Sequence, residues 1–308
     1  VWVLSVVGHT LDDAMMNLQQ QVSSRLFFGH LRIIVISEQY ARLGLANLND
    51  YLRRNPEVRR MAWMMVSAGK AADVMRAVPK LERVPTMYLI STVDNAVKMG
   101  KFPTDFIGVF WSNLSKKGQE GFLPFVTLKK EKNVEISGLA LFRGDRMVGR
   151  SNPIEIASYM SVKGLNPAGY RGIIDVDGTY VTLYSTNRRS NITVDIVDGK
   201  PRFTVKILIE LNIEEKSDET IKIRTDDILK RIELRDEAIF QKANQAFIRK
   251  TQRMGSDIFG FGELVRAKKP DYWNRYVKTK DRWSVMYRDV DVVVKNDLRI
   301  RRIGMKAQ

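Results

Sequence analysis

Two stretches near the end of the chain alternate between apolar and polar residues, and this alternation limits the possible folds more than any other feature. Residues 203–213 place an apolar side chain at every second position, and residues 290–303 alternate in the same way. Successive side chains of a β-strand point to opposite faces, so each stretch predicts a strand with one buried and one solvated face. Between them, an apolar stripe at helical spacing predicts a long helix that Thr225 caps and that ends near Met254, before Gly255. This last third therefore predicts a self-contained α+β unit.

The first third of the chain predicts alternating strands and helices, which is the pattern of an α/β layer. The predicted strands cover residues 1–7, 31–37 and 60–67, and the predicted helices cover residues 9–21, 38–42, 48–53 and 71–77. Thr10 is a candidate N-cap of the first helix. One buried face of that helix is predicted from the spacing of its apolar residues, Leu11, Ala14, Met15, Leu18 and Val22. Further helices with polar loops are predicted over residues 85–120.

The middle of the chain is rich in strand and turn signals. The predicted elements are strands over residues 122–130 and 134–142, a tight turn at 143–146, a helix over 153–160 and strands over 172–196. Asp177-Gly178 is a hairpin signal, whereas Asp198-Gly199-Lys200-Pro201 is interpreted as a domain boundary. With a second boundary near 130, we predict three small domains, at residues 1–129, 130–199 and 200–308. Each is expected to be a β-sheet packed with helices, in a mixed α/β (α+β) fold.

Charge indicates an anionic partner without identifying it. Lys and Arg number 51 against 35 Asp and Glu, which gives a net charge of +16. The basic residues cluster near 266–269 and 299–302, but acidic residues lie among them, and no recognition helix or aromatic platform accompanies them. We therefore predict no nucleic-acid partner, although charge alone leaves a basic nucleic-acid-binding protein open. An anionic membrane surface fits the same charge at least as well.

The sequence offers no catalytic or cofactor-binding constellation. With no Cys and two His, the chain excludes disulfides, thiol catalysis and any Cys-based or three-histidine metal site. Nucleophile-elbow and phosphate-loop motifs are missing, and no nucleophile–base pair can be assembled. The spacing Gly255-x4-Gly260-x-Gly262 suggests a dinucleotide loop, but it follows a helix instead of a strand. We predict a protein that is not an enzyme and that holds no cofactor and no metal.

Residues 255–263, Gly-Ser-Asp-Ile-Phe-Gly-Phe-Gly-Glu, form the most distinctive stretch in the chain. They closely resemble the G-A-D-I-F-G-F-G-E signature of the C subunits of spore nutrient germinant receptors, the Ger(x)C lipoproteins of endospore-forming bacteria. Further stretches resemble motifs of that family in the same order along the chain: residues 8–14, 25–30, 52–59, 138–142, 147–149, 270–273, Trp283 and 300–304. The resemblance therefore covers essentially the whole chain.

The resemblance implies a three-domain fold of unusual topology and a subunit that is lipid-anchored on the outer face of the spore inner membrane. It implies two integral-membrane partners, the receptor A and B subunits, in an assembly that senses nutrients and starts germination. Val1 opens inside an apolar strand pattern, so we expect a preceding segment that carries the family's signal peptide and anchor cysteine. That anchor falls on no residue of this sequence.

The signature residues have two interpretations, a structural one and a partner contact. In the structural interpretation, Asp257 caps the next helix, Phe259 and Phe261 fill the space between helix and sheet, and Gly260 and Gly262 permit close backbone approach. The partner-contact interpretation adds Glu263 to the same set. The leading functional hypothesis is a non-enzymatic, membrane-tethered scaffold that binds the A and B subunits. The alternative is a module that binds the small-molecule germinant.

Overall fold

The computed structural model describes residues 3–77, 82, 84–169, 171–217 and 226–303. The chain divides into two compact units, each with its own β-sheet. Unit 1 comprises Val1–Thr92, Asp105–Ser115 and Glu120–Arg150, and unit 2 comprises Val93–Thr104, Lys116–Gln119 and Ser151–Gln308. The predicted mixed α+β class is confirmed, with two sheets packed against helices.

The sheet of unit 1 has five strands in the order β1-β2-β3-β4-β5. Strands β1, β2 and β3 are parallel, and β4 and β5 continue the sheet as antiparallel strands. The elements of the first 150 residues are α1 Leu11–Gln19, β1 Ile33–Ser37, α2 Glu38–Leu43, α3 Ala46–Arg54, β2 Trp63–Ser67, α4 Ala71–Met75, α5 Pro85–Lys98, α6 Ile107–Ser115, β3 Phe122–Leu128, β4 Val134–Arg143 and β5 Arg146–Arg150. Every residue of β2, which lies between the parallel strands β1 and β3, is buried, as expected for a parallel strand covered on both faces.

Two predictions for the beginning of the chain are wrong. Val3–Val7 forms no strand; the Val7 carbonyl accepts a hydrogen bond from the Asn17 side chain at 3.1 Å instead of from a neighbouring strand. Val1 and Trp2 lie outside the described residues. Helix α1 and its Thr10 cap are confirmed, since the Thr10 hydroxyl accepts from the Asp13 N–H at 3.1 Å. However, α1 has no buried residue, so its apolar face is only half covered.

The sheet of unit 2 has four strands in the order β6-β7-β8-β9. Strands β6, β7 and β8 form an antiparallel meander, and β9 lies parallel to β8 after a helical crossover. The elements are α7 Pro153–Val162, β6 Arg171–Val176, β7 Thr179–Val197, β8 Lys200–Lys216, α8 Asp226–Met254, α9 Phe261–Lys268, α10 Pro270–Tyr272, a π-helical turn Trp273–Val277, α11 Lys280–Met286, a 3-10 turn Tyr287–Asp289 and β9 Asp291–Ile303. The apolar face predicted from residues 203–213 is buried along β8. The predicted cap of α8, Thr225, lies outside the described residues.

The predicted boundary at 199/200 is corrected by the long β7–β8 hairpin. Val197 pairs with Lys200, so Asp198 and Gly199 form a two-residue turn inside one sheet. Both turn residues have positive φ, 49° and 74°, as a type I′ hairpin turn requires. Asp, Gly and Pro favour turns and linkers alike, so composition alone could not separate the two. The strands assigned to a middle domain divide between the two sheets instead, β4 and β5 in unit 1 and β6 and β7 in unit 2.

Within the described ranges, no helix combines the length and the apolar character that a membrane crossing needs.

Candidate functional site

The signature segment, residues 255–263, begins where the long helix α8 ends. Gly255 has a φ of 65°, and its N–H donates to the Gln252 carbonyl at 2.9 Å. The Ser256 N–H donates to the Thr251 carbonyl at 3.0 Å. This pair of bonds is the Schellman pattern, which satisfies the last carbonyls of a helix. A glycine at this place therefore stops α8 and turns the chain toward α9, as the sequence predicts.

Asp257 is the polar centre of the segment, and its carboxylate is fully buried. Oδ1 accepts from the N–H groups of Gly260 at 2.8 Å and Phe261 at 3.2 Å, at the start of α9. Oδ2 accepts from the Gly262 N–H at 2.8 Å and from Trp283 Nε1 at 2.9 Å. Burial raises the pKa of Asp257 to about 6, while these N–H donors act in the opposite direction. The carboxylate thus satisfies the first N–H groups of α9 and joins that helix to α11.

The two phenylalanines of the segment point into the core of unit 2. Phe259 lies 5.8 Å from the Phe247 ring of α8, measured between ring centroids, and 5.7 Å from the Tyr159 ring of α7. Phe261 lies 4.7 Å from the Phe203 ring of β8. Both side chains are about 1% exposed. They fill the space between the helices and the sheet, where aromatic pairs at such distances add to the gain from burial.

Gly262 lies in the closest contact of the segment. A Cβ atom at this position would stand 2.6 Å from Trp283 Cε2 and 2.7 Å from the Gly118 Cα, both well inside van der Waals distance. Gly118 faces Gly262 from the other side and tolerates a side chain no better. The contact therefore needs glycine at both positions, because any side chain would push the backbones apart.

Glu263 attaches the segment to residues 116–119 of the same unit. Its Oε1 accepts from the Gly118 N–H at 2.7 Å, and its own N–H donates to the Gly118 carbonyl at 3.0 Å. Its Oε2 pairs with Arg266 at 2.7 Å. Burial acts to raise the pKa of Glu263, but the hydrogen bonds from Arg266 and Gly118 outweigh it and lower the pKa. On the far side of the segment, Lys163 Nζ donates to the Phe259 carbonyl at 2.8 Å.

The six candidate residues thus come together, but they differ in exposure. Asp257, Phe259, Phe261 and Gly262 are buried, whereas Gly260 and Glu263 are half-buried at the rim. Direct contact with a partner is open to those two alone in this conformation, and it stays a prediction. Every carboxylate oxygen of Asp257 is occupied by N–H donors, so the arrangement offers no free general base. Across the described part of the chain, no three His, Cys, Asp or Glu side chains are grouped as a metal would need.

Sequence reasoning missed the partners that complete the site. Gly118 lies in a turn-rich stretch between α6 and β3 that the sequence identifies only as a loop. Lys163 ends α7 without any feature that sets it apart from other lysines. Trp283 belongs to the family motifs, but nothing in its spacing indicates Asp257 as its partner. These contacts join residues up to 145 positions apart, and such pairs leave no local pattern.

The basic clusters near the end of the chain are largely paired with acids. Arg266 pairs with Glu263, and Lys269 lies 3.4 Å from Asp195. Arg299 and Arg301 pair with Asp297 and Glu210, each at 2.7 Å. This pairing leaves little of the clustered charge for a phosphate backbone.

Comparison with known proteins identifies two family models along the chain. The family described as "Spore germination protein N-terminal domain" matches residues 1–128. The family described as "Spore germination B3/GerAC like, C-terminal" matches residues 137–304, a range that contains the signature segment.

Individual relatives agree with these models. The chain is 23% identical to spore germination protein KC of Bacillus subtilis (strain 168) over 330 aligned positions, which cover 99% of this chain and 80% of the relative. It is 21% identical to spore germination protein GerQC of Bacillus cereus, over 98% of this chain and 83% of the relative. The fold is similar to the crystal structure of the GerBC protein, with a TM-score of 0.68 and 18% identity, over 94% of this chain and 84% of that structure.

Proposed function

Because the chain belongs to the Spore germination B3/GerAC-like family, we propose that it is a non-enzymatic subunit of a spore nutrient germinant receptor. In this proposal it acts in germination as a scaffold that binds the integral-membrane A and B subunits. One observation carries the non-enzymatic part: both carboxylates of the signature segment are engaged in structural hydrogen bonds, and its two phenylalanines are buried in the core. The Asp257 carboxylate accepts from N–H groups at the start of α9 and from the Trp283 indole, and the Glu263 carboxylate accepts from the Gly118 N–H. Neither carboxylate is therefore free to act as a catalytic base.

The proposal includes a lipid tether on the outer face of the spore inner membrane. The net charge of +16 supports a position next to an anionic surface, because basic residues near such a surface gain about 1 kcal/mol each. Fractionation of spore extracts tests this part: the protein should sediment with the inner membrane and should be released by a lipase that removes the anchor.

Co-purification from solubilised spore membranes tests the scaffold role. A tagged copy of the protein should recover both the A and the B subunit at similar yield. Recovery of the tagged protein without either subunit would contradict the proposal.

A matched pair of variants tests the partner contact at the signature. Glu263→Gln removes the negative charge of a half-buried residue of the signature segment and its salt bridge with Arg266. Asp271→Asn makes the same charge change at an exposed position of α10. If the rim contacts a partner, Glu263→Gln should reduce recovery of the A and B subunits and Asp271→Asn should not. Equal recovery with both variants would leave the segment with its structural role alone.

A second candidate function is direct binding of a small germinant molecule. A cleft of about 580 Å³ in unit 1 favours it, because two arginines and a tryptophan line its wall. Calorimetry with the nutrients that trigger germination tests this candidate, and an absence of binding heat with all of them would count against it.

A further inference from the structure

The cleft in unit 1 lies between the end of α3, the loop that follows and helix α6. Its wall includes Leu52, Arg53, Asn55, Arg60, Trp111 and Ser112. Its volume of about 580 Å³ lies in the range of sites for small organic molecules. Five of the residues that line it belong to the stretch 52–59, a family motif that the proposed scaffold role leaves without a function.

The cleft is positively charged. Arg53 and Arg60 line it, and no Asp or Glu does among the residues that the structure describes. The two nearest acids in sequence are engaged elsewhere. Asp50 pairs with Arg54 at 2.8 Å, and Glu57 accepts from Arg25 at 3.2 Å and from a backbone N–H at 3.0 Å. Arg53 and Arg60 therefore both line the cleft, and neither makes an ion pair with a carboxylate within the described ranges.

Trp111 is a rigid and largely buried part of the cleft wall. The Trp111 ring is 6% exposed, and its Nε1 donates to the buried Asn49 Oδ1 at 2.9 Å. The Arg53 guanidinium lies 5.8 Å from the centroid of this ring, within cation–π range. Leu52, from the same turn of α3, is buried to the same degree. The contacts open to a ligand at this wall therefore come mainly from Arg53, whose side chain is exposed.

The second arginine is anchored by its backbone. The Gly108 N–H donates to the Arg60 carbonyl at 2.9 Å, and the Ile107 N–H donates to the Ala62 carbonyl at 2.9 Å. A Cβ atom on Gly108 would stand 2.8 Å from the Arg60 Cβ, so glycine lets the strand entrance approach α6 closely. The backbone of Arg60 is thus held at the start of α6, while its side chain is exposed.

We propose that this cleft binds a small molecule that carries an oxyanion, a carboxylate or a phosphate. The planar guanidinium groups of Arg53 and Arg60 match the geometry of an oxyanion, and charge-assisted bonds are the stronger class of hydrogen bond. The inference specifies the second candidate function and rests on that candidate; the scaffold role is independent of it.

Fluorine NMR with the full 308-residue chain tests the site directly. The probes are 4-fluorobenzoate, 4-fluorophenyl phosphate and the neutral isostere 4-fluorobenzamide. We expect saturable binding of at least one of the two anions, weakened by added salt, and binding of the amide at least tenfold weaker. The first two probes separate carboxylate from phosphate recognition.

Three variants locate the binding. Arg53→Gln and Arg60→Gln should each weaken binding of the anion about tenfold, in line with the loss of a charge-assisted bond. Arg54→Gln makes the same charge change one residue away on an arginine that pairs with Asp50, and it should leave binding unchanged. All three positions are exposed, so the variants should fold, which circular dichroism checks.

Three results would overturn the proposal: no binding of either anion at millimolar concentration, equal binding of the amide, or equal loss with Arg54→Gln. Failure of co-purification with the A and B subunits would contradict the scaffold role and leave these NMR results unaffected.

Discussion

Replacing Gly262 by alanine sets two physical effects against each other. Gly262 is the second residue of α9, and in an ordinary helix alanine is more favourable than glycine by about 1 kcal/mol. Here, however, the new methyl group would stand 2.6 Å from Trp283 Cε2 and 2.7 Å from the Gly118 Cα. Overpacking of this kind costs about 1–3 kcal/mol. Displacement of Trp283 also weakens its bond to the Asp257 carboxylate, a class worth about 1.5–3 kcal/mol.

The net expectation is destabilisation by about 2–4 kcal/mol, because the contact involves backbone on one side and a buried ring on the other. Thermal unfolding followed by circular dichroism should show Tm lower by roughly 5–12 °C for a unit of this size. Gly118→Ala, from the other side of the contact, should act in the same direction. Gly69→Ala is the control, since a Cβ there meets nothing within 4 Å, and its stability should stay within about 0.5 kcal/mol or rise. A Gly262→Ala variant as stable as the wild type would refute the reasoning.

Three further predictions concern unit 2. Arg188 is buried, makes no ion pair with a carboxylate among the described residues, and donates to four backbone carbonyls at 2.6–3.2 Å, while burial lowers its pKa to about 10. Arg188→Met should therefore cost about 3–5 kcal/mol in urea unfolding, because the four carbonyls lose their donor. Arg189→Met, on the opposite and solvated face, should cost under about 0.5 kcal/mol. Burial raises the pKa of Asp236 to about 7, so the folded protein keeps a proton that the unfolded chain releases above pH ~4. The free energy of unfolding of the wild type should therefore fall as pH rises from about 4 to 7. Asp236→Asn should match the wild type near pH 4 and exceed its stability by about 2–4 kcal/mol at pH 8, and equal stability at both pH values would contradict this. Asn152 and Glu155 form a capping box at the start of α7, so Asn152→Ala should cost about 1 kcal/mol, whereas Asn152→Ser should restore most of it.

The sequence predicts elements well where a local rule decides them. The alternation over residues 203–213 predicts strand β8, and Asp177-Gly178 predicts the β6–β7 hairpin, because side-chain period and turn chemistry act within a few residues. Gly255 ends α8 for the same reason, since glycine adopts φ > 0 at lower cost than residues that carry a Cβ atom. Predictions fail where a distant partner decides: Val3–Val7 has a strand composition but pairs with none of the described strands.

The residues of the candidate site likewise include some that a local rule predicts and some that only distant contacts determine. The signature segment alone indicates Asp257 as a capping residue and Phe259 as a core residue, because capping and burial follow from residue type. Nothing in the segment indicates that Gly118, 144 positions before Gly262, completes the closest contact.

By itself, the sequence determined the family, the mixed α+β class and most of the elements, since these depend on motifs and on periodicity along the chain. Only the tertiary structure decided that Asp198-Gly199 is a turn within one long hairpin, that the chain divides into two units, and that Arg53 and Arg60 line one cleft with Trp111. The physical reason is that pairing, packing and charge compensation act between residues far apart in the chain, and their outcome depends on which surfaces meet in the folded molecule.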